Sequence, residues 1–342
     1  MRFAILGSGA IGSYLGAALA RGGADVVLIA RGAQLEALRR DGVRVLSPRG
    51  DFEAKPPATD DLAAVAGVDV VVIALKAYSI PELAPRLGEL LEGDTAVLPA
   101  QNGVPWWFFQ SFGGEHEGTL VQSVDPHGAV SRAIEPRRVI GCVSYPATEL
   151  VEPGVVQHVE GTRFTIGEPD GADSRRCRLV AEAFEAGGLK CPVEPRIRGQ
   201  LWLKLIGNVA FNPTTALTGA SLGELALVPE SLELVRGIME ECAAVGAALG
   251  IELPVSLQRR LEAGIGVGDH RTSMLQDFDA GKPLELDCLT GALIEIAELL
   301  GVPVPRTRAI DAATRLRTAL RDRELDAALE GAAAGTNGRR TG

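Results

Sequence analysis

The stretch "RFAILGSGAIGSYLGAALARGG" at the N-terminus limits the fold more than any other part of this 342-residue chain. Arg2–Leu6 is a short apolar run that reads as a buried strand. It leads into Gly7-x-Gly9-x-x-Gly12, and Ala10–Arg21 carries a helical pattern. Each glycine has a physical use in such a loop. Gly7 makes the tight turn, Gly9 lets the backbone approach a pyrophosphate, and Gly12 lets helix and strand pack closely. The helix N-terminus then supplies N–H donors and the positive end of a dipole. The competing reading is an ordinary βα turn that happens to be rich in glycine. The dinucleotide reading makes Gly7, Ser8, Gly9, Ala10, Ile11 and Gly12 the candidate cofactor-binding loop.

The first third of the chain continues the alternation. "DVVLIA" (25–30) reads as a second strand, and "DVVVIAL" (69–75) as another after an irregular stretch and a short helix. A helix opens at Pro81, and "TAVLPA" (95–100) is again a strand. Strands and helices at this spacing predict a parallel sheet with crossover helices. Between about Leu120 and Glu168, "GCVSYPATE", "GVVQHVEG" and "RFTIGE" are short, β-branched and separated by Gly or Pro. They read as an antiparallel extension of that sheet. A helix near Ser174–Ala186 follows. After about Arg196 all the apolar patterns are helical. The expected organisation is α/β followed by all-α: a Rossmann-type domain over 1–195, a helical domain over 196–330 and a frayed tail over 331–342. Two domains suit the length, which exceeds what one core usually uses.

Composition excludes several classes. A formal net charge of −10 without a long basic run is a poor match to nucleic acid. A local basic pocket for one small anion is compatible with it. Cys142, Cys177, Cys191, Cys242 and Cys288 are widely spaced and odd in number. That argues against a disulfide framework or a zinc site and fits a reducing cytoplasm. His116, His127, His158 and His270 form no ligand spacing, so no metal is expected. No unbroken apolar run approaches the ~18 residues of a membrane span, and the N-terminus does not read as a signal peptide. The expected partner is a small molecule, and a homodimer stays open.

The strand "VVLIA" ends in Arg31 with no acid beside it. An Asp or Glu there would suit the ribose 2′-hydroxyl of NAD, whereas an arginine suits a 2′-phosphate by charge and fork geometry. NADP(H) is therefore the expected cofactor, against the alternative of a surface arginine. Lys76 follows "VVVIAL", and Asn102 lies in the "QNG" that follows the next strand. Both stand at the carboxyl ends of parallel strands, where ligands bind in open α/β sheets. Each could also be a plain turn residue.

In "LWLKLIGNVAFNPTTALTG" (201–219), Lys204, Asn208 and Asn212 recur every four residues on an otherwise apolar helix. Each step of four drifts by only about 40°, so the three form one stripe. Lys204 could protonate a developing alkoxide, or it could snorkel to water or pair with an acid. Amides are poor residues in the middle of an apolar helix unless something binds them. Downstream, Ser273 could donate to a substrate carboxylate or merely cap the helix that begins near Met274. Glu285 could orient Lys204 or bind cofactor hydroxyls, or be a solvated acid at a helix start.

Taken together these motifs resemble the ketopantoate reductases (2-dehydropantoate 2-reductases). The resemblance runs in order through "ILGSGAIG", Arg31, "LKAY", "QNG", "KLIGNVAFNP", "SMLQD" and an acid twelve positions after the serine. It implies NADPH-dependent reduction of ketopantoate to pantoate, for pantothenate biosynthesis. It also implies a Rossmann domain joined to a helical domain like the C-terminal one of 6-phosphogluconate dehydrogenase. By that resemblance Lys204 is the general acid, and Asn102 and Asn208 hold substrate and cofactor. Asn212 lies on the substrate side, Ser273 binds substrate, and Glu285 contacts cofactor or the lysine. Arg31 and Lys76 are the cofactor-side cations.

One position departs from the family, and one segment is unusual in itself. His270 stands where members carry a substrate-touching Asn, three residues before the serine, and is kept as a candidate substrate contact. "VPWWFFQSF" (104–112) concentrates Trp106, Trp107, Phe108 and Phe109 in a chain only 4% aromatic. It reads either as core packing or a dimer contact, or as an apolar wall for a bulkier substrate. The alternatives are thus a paralogous reductase of a bulkier 2-oxo acid or ketone, and a non-catalytic NADPH-binding protein.

Overall fold

The structure, a computed structural model, describes residues 1–337, with side chains through residue 325. In chain order the first strands and helices are β1 (Arg2–Leu6), α1 (Ala10–Arg21), β2 (Asp25–Ile29), α2 (Gly32–Asp41), β3 (Val43–Leu46), β4 (Phe52–Ala54) and β5 (Ala58–Thr59). Then come β6 (Val70–Ile73), α3 (Ile80–Leu90), β7 (Ala96–Pro99), α4 (Ala129–Ala133), β8 (Gly141–Ser144), β9 (Ala147–Glu152), β10 (Val155–Glu160), β11 (Phe164–Gly167) and α5 (Arg175–Ala186). The remainder is helical: α6 (Ile197–Thr218), α7 (Pro229–Ala248), α8 (Leu257–Ile265), α9 (Ser273–Asp279), α10 (Ala292–Leu300) and α11 (Pro305–Asn337). Two compact units divide inside α6, between Leu201 and Trp202. Of the tail expected at 331–342, residues 331–337 continue the backbone of α11 and 338–342 lie outside the described residues.

In the first unit, β5-β2-β1-β6-β7 form a sheet in which every pairing is parallel. Phe3 of β1 sits opposite Val26 on one side and Val70 on the other. β6 and β7 are buried at every position, as an unalternating Val/Ile run requires when both faces are covered. Because all five strands run the same way, their carboxyl ends lie along one edge.

The antiparallel strands do not extend this sheet as a continuous layer, which corrects the expectation above. β9 and β10 join β3 and β4 in a separate sheet of order β4-β3-β10-β9, and β8 and β11 form a two-stranded ribbon. The isolated bridge Val97–Val139 links the segment before β8 to β7. The physical reason lies in α1, which is buried without a break from Gly12 to Leu19 and so on every face. One face meets the parallel sheet, where a Cβ on Gly16 would stand 2.5 Å from Leu28 Cδ2. The other face needs its own cover, and Tyr14 there stacks on His158 with ring centroids 4.7 Å apart.

The second unit is built on close helix approach. Trp202 is fully buried and donates to the Cys242 carbonyl at 2.9 Å. Its indole lies against Gly246 of α7, where a Cβ would be 2.6 Å from Trp202 Cδ1. The buried Glu241 carboxylate accepts from the backbone N–H groups of Arg306 (2.9 Å) and Thr307 (2.8 Å), capping α11 from a neighbouring helix.

Candidate active site

In the first unit the expected cofactor residues collect at one sheet edge. Gly7 follows β1, Arg31 is the N-cap of α2 just after β2, Lys76 follows β6 and Asn102 follows β7. The spatial order of strands is β2, β1, β6, β7, so the four positions run across the edge in that order. Adjacent strands lie about 4.8 Å apart, which spreads them over roughly 14 Å. The chain leaves β1 toward β2 on one side and β6 lies on the other, which is the switch point where such sheets bind ligands. Gln101 Nε2 donates to the Leu75 carbonyl at 2.9 Å and so ties the Asn102 turn to the Lys76 turn.

The loop fits a dinucleotide diphosphate. Gly7 has φ +99°, and a Cβ there would be 2.7 Å from Leu75 Cδ2. A Cβ on Gly12 would collide with the Gly7 carbonyl oxygen. At Gly9 a Cβ would meet nothing within 4 Å, so the loop opens onto space at the one glycine assigned to ligand approach. Gly9 is the N-cap of α1 and offers no side-chain acceptor to the first-turn N–H groups. Ser8 is buried, its N–H and hydroxyl both donating to the Ile29 carbonyl. Ala10 and Ile11 are half-buried at the mouth.

One residue here escapes sequence reading. Gln34 Nε2 donates to the Ser8 carbonyl (2.9 Å) and to Ser13 Oγ (3.2 Å), and its Oε1 accepts from Gly154 N–H at 2.9 Å. It pins the loop from the first turn of α2. The only sequence signal is its place three residues after Arg31.

In the second unit the polar stripe of α6 is real. From Leu201 to Ala216 every residue is buried except Lys204 and Asn208, which are half-buried. Asn212 is 7% exposed and sits one turn further in. Over this stretch the helix therefore opens at two positions four residues apart.

Ser273 is the exposed first residue of α9, and the cap is its neighbour: Thr272 Oγ1 accepts from Leu275 N–H at 3.3 Å. The capping role considered for Ser273 is thus filled by Thr272, which leaves the serine hydroxyl to other partners. Thr272 also meets Thr215 of α6, oxygen to oxygen at 2.6 Å. Neither threonine stood out in the sequence, because a lone Thr on an apolar helix has no distinctive pattern. His270 is half-buried, and its carbonyl accepts from Leu222 N–H at 3.0 Å, fixing the approach to α9. Glu285 is 8% exposed, which overturns the reading as a solvated acid.

The aromatic segment is core. Trp107 and Phe108 are wholly buried, and Phe109 is 1% exposed. Phe108 and Phe109 meet edge-on with centroids 4.9 Å apart. Half-buried Arg198 holds the segment by donating to the carbonyls of Phe108 (2.8 Å), Gln110 (2.5 Å) and Pro169. Burial lowers its pKa to about 10. Trp106 lines a small cavity with Gln101, Asn102, Val104 and Pro105. Among the described residues no three His, Cys, Asp or Glu side chains gather as a metal site, and no helix is long and apolar enough to cross a membrane.

Comparison with known proteins shows the family. The family described as "Ketopantoate reductase PanE/ApbA" matches residues 3–171, and its C-terminal counterpart matches 196–317. The chain is 43% identical over 316 residues to the 2-dehydropantoate 2-reductase of Mesorhizobium japonicum, covering 92% of this chain and 97% of that one. It is 31% identical to the 2-dehydropantoate 2-reductase of Halobacterium salinarum, covering 94% of this chain and all of the relative. The crystal structure of a PanE/ApbA family ketopantoate reductase from Ralstonia eutropha superposes with a TM-score of 0.81 at 30% identity, over 94% of this chain and 99% of that one.

Proposed function

This chain belongs to the ketopantoate reductase PanE/ApbA family, and from that premise we propose that it reduces the 2-oxo group of ketopantoate to pantoate with NADPH, for pantothenate biosynthesis. The family is one of dinucleotide-dependent oxidoreductases. The observation that carries the reading is the opening of α6 at Lys204 and Asn208 and nowhere else between Leu201 and Ala216.

The dinucleotide, when bound, supplies the hydride that reaches C2 of the 2-oxo acid. Lys204 gives its ammonium proton to the carbonyl oxygen as negative charge develops there, which is general-acid catalysis combined with electrostatic stabilisation. The product is the 2-hydroxy acid, and half-exposed Lys204 recovers its proton from water. Asn208 and Asn102 orient the substrate and the nicotinamide end through amide donors and acceptors. Asn212 supports the same face, and His270 stands as a substrate contact. Ser273, released from capping, donates to the substrate. Glu285 serves the cofactor or orients the lysine. Gly7 to Gly12 hold the diphosphate, Arg31 takes the 2′-phosphate, and Lys76 adds positive charge along the same sheet edge.

The enzyme works on a small 2-oxo acid in a reducing cytoplasm, in keeping with five cysteines that are all free and buried. Burial of Trp107, Phe108 and Phe109 places these three rings in the core, which supports the smaller substrate. The test is oxidation of NADPH, followed by its absorbance, with ketopantoate and a panel of 2-oxo acids. Ketopantoate should lead the panel. A bulkier ketone leading it would favour the paralogous reductase. Tight NADPH binding without turnover of any ketone would overturn the enzymatic reading.

A further inference from the structure

We propose that Gln34 sets the polarity of the dinucleotide loop, holding the Ser8 carbonyl turned toward α2 so that its negative end stays off the side where a diphosphate would lie. The proposal rests on the dinucleotide reading above and adds a positioning residue to it. The Ser8 carbonyl oxygen accepts from Ser13 Oγ at 2.8 Å and from Gln34 Nε2 at 2.9 Å. A carbonyl oxygen has two lone pairs, and these two donors take both. The peptide between Ser8 and Gly9 is trans, as are all peptides among the described residues. In a planar trans peptide the N–H points opposite to the carbonyl. The Gly9 N–H is therefore directed away from Gln34, and Gly9 is the residue whose Cβ would meet nothing within 4 Å. Glycine tolerates either orientation of the peptide before it. An unpinned peptide could turn over and present its oxygen to the diphosphate, where like charges repel.

The direction of each bond around Gln34 is fixed by its neighbours. The single proton of the Ser13 hydroxyl goes to the Ser8 carbonyl, so between Ser13 Oγ and Gln34 Nε2, 3.2 Å apart, the amide is the donor. Both Nε2 protons are thereby used. Oε1 accepts from the Gly154 N–H at 2.9 Å. Turning the amide over would set oxygen against the Ser8 oxygen and N–H against N–H, so the network admits one orientation. Ser8 and Ser13 are both buried, which leaves water little access to replace the amide. A carboxylate at position 34 would keep the Gly154 bond and lay a negative oxygen against the Ser8 carbonyl. Gly154 lies between β9 and β10 at φ +82°, and its own carbonyl accepts from the Arg44 N–H of β3 at 2.9 Å. The sheet that covers the far face of α1 thus bears on the glycine loop through one side chain. That gives the β9–β10 turn a part in cofactor binding, although no residue of that turn is assigned to the ligand.

The experiment measures calorimetric Kd values for NADPH, 2′-phospho-ADP-ribose and 2′-AMP in wild type, Gln34→Met and Gln34→Glu. The first two ligands carry the diphosphate. The third keeps the phosphate assigned to Arg31 and lacks the diphosphate. Gln34→Met preserves the length of the side chain and removes its polar atoms, so it should weaken both diphosphate ligands by roughly 3- to 10-fold, the usual worth of a neutral hydrogen bond. Gln34→Glu keeps the shape and reverses the polarity, so the same two ligands should weaken by roughly 10- to 100-fold. For 2′-AMP, Gln34→Met should leave Kd in place, and Gln34→Glu should raise it far less than it raises the Kd of the other two. KM for NADPH should follow its Kd, while kcat at saturating NADPH moves much less. An unchanged Kd for NADPH in Gln34→Glu would overturn the proposal. So would an equal rise for all three ligands, because a general loss of structure does not distinguish diphosphate from monophosphate. Absence of ketone reduction by wild type would instead overturn the reductase reading, with the Kd series still ruling on Gln34. Failure of wild type to bind NADPH would overturn both.

Discussion

The hydroxyls of Thr215 and Thr272 lie 2.6 Å apart, and the hydrogen bonds through them run in one direction. Thr215 donates its proton to the Asn212 carbonyl at 3.0 Å. A hydroxyl has a single proton, so Thr272 must be the donor between the two. Thr272 in turn accepts from Leu275 N–H. The path from the first turn of α9 to the turn of α6 that carries Asn212 is thus continuous. Both threonines are buried, at 0% and 5% exposure, so no water substitutes for either.

Thr272→Val should therefore do two things. It removes a helix N-cap, worth about 1 kcal/mol, and leaves the Thr215 oxygen without its donor. Denaturant unfolding should show a loss of about 1–3 kcal/mol. Ser273 loses its fixed position, so KM for ketopantoate should rise severalfold while the dinucleotide affinity holds. Thr272→Ser should restore both, because the hydroxyl is what matters. Loss of stability with KM unchanged would confine Thr272 to a structural role.

Lys204→Ala should lower kcat by about 10²- to 10⁴-fold, the usual range for a positioned proton donor. Binding of NADPH, measured by fluorescence, should stay close to wild type, because the diphosphate and ribose contacts assigned to the glycine loop and Arg31 are untouched. A kcat within threefold of wild type would take the proton-donor role away from Lys204.

Arg31→Glu tests the cofactor assignment. Arg31 is exposed at the N-cap of α2, so the substitution should leave the fold intact. A carboxylate there repels a 2′-phosphate and accepts from a ribose hydroxyl. The ratio of kcat/KM for NADPH to that for NADH should fall by two orders of magnitude or more, on the order expected for losing a guanidinium–phosphate pair and gaining a repulsion. Equal changes with both cofactors would refute the assignment.

What the chain reveals before folding depends on how local each constraint is. The glycine loop is legible because its demands fall within six residues: positive φ at Gly7 and close packing at Gly12. The stripe on α6 is legible because a helix converts sequence spacing directly into a shared face. The separate sheet β4-β3-β10-β9 is not, since β3 and β10 pair across more than a hundred residues and no local signal reports it. The cap at α9 shows the limit at short range. Thr272 and Ser273 are adjacent and both suited to capping, and only φ −61° and ψ 155° at Thr272 decide between them. Burial of "WWFF" was open for a similar reason: large aromatic residues serve cores and ligand walls alike. Here Arg198, some ninety residues away in sequence, holds the segment by its backbone carbonyls.

The five cysteines yield a prediction with a pH dependence. All are free and buried, and the Cys177 thiol is pushed up to about 12 from an ordinary value of 9.0, chiefly by burial. Burial likewise raises Cys191 and Cys242. A thiol is neutral when protonated, and the thiolate is the reactive form. The native protein at pH 8 should therefore leave a thiol reagent such as Ellman's unconsumed over minutes, and release about five equivalents only after denaturation. Stability should follow the same groups. Below about pH 9 both folded and unfolded chains keep these thiols protonated, so they contribute no pH dependence. Between 9 and 12 the unfolded chain loses protons that the folded chain retains, so stability falls as pH rises. Denaturant midpoints taken at pH 8, 9, 10 and 11 should decline across that window. Replacing Cys177 with alanine should flatten part of the slope, at the cost of a small cavity. A slope unaltered by that substitution would show that other groups carry the alkaline transition.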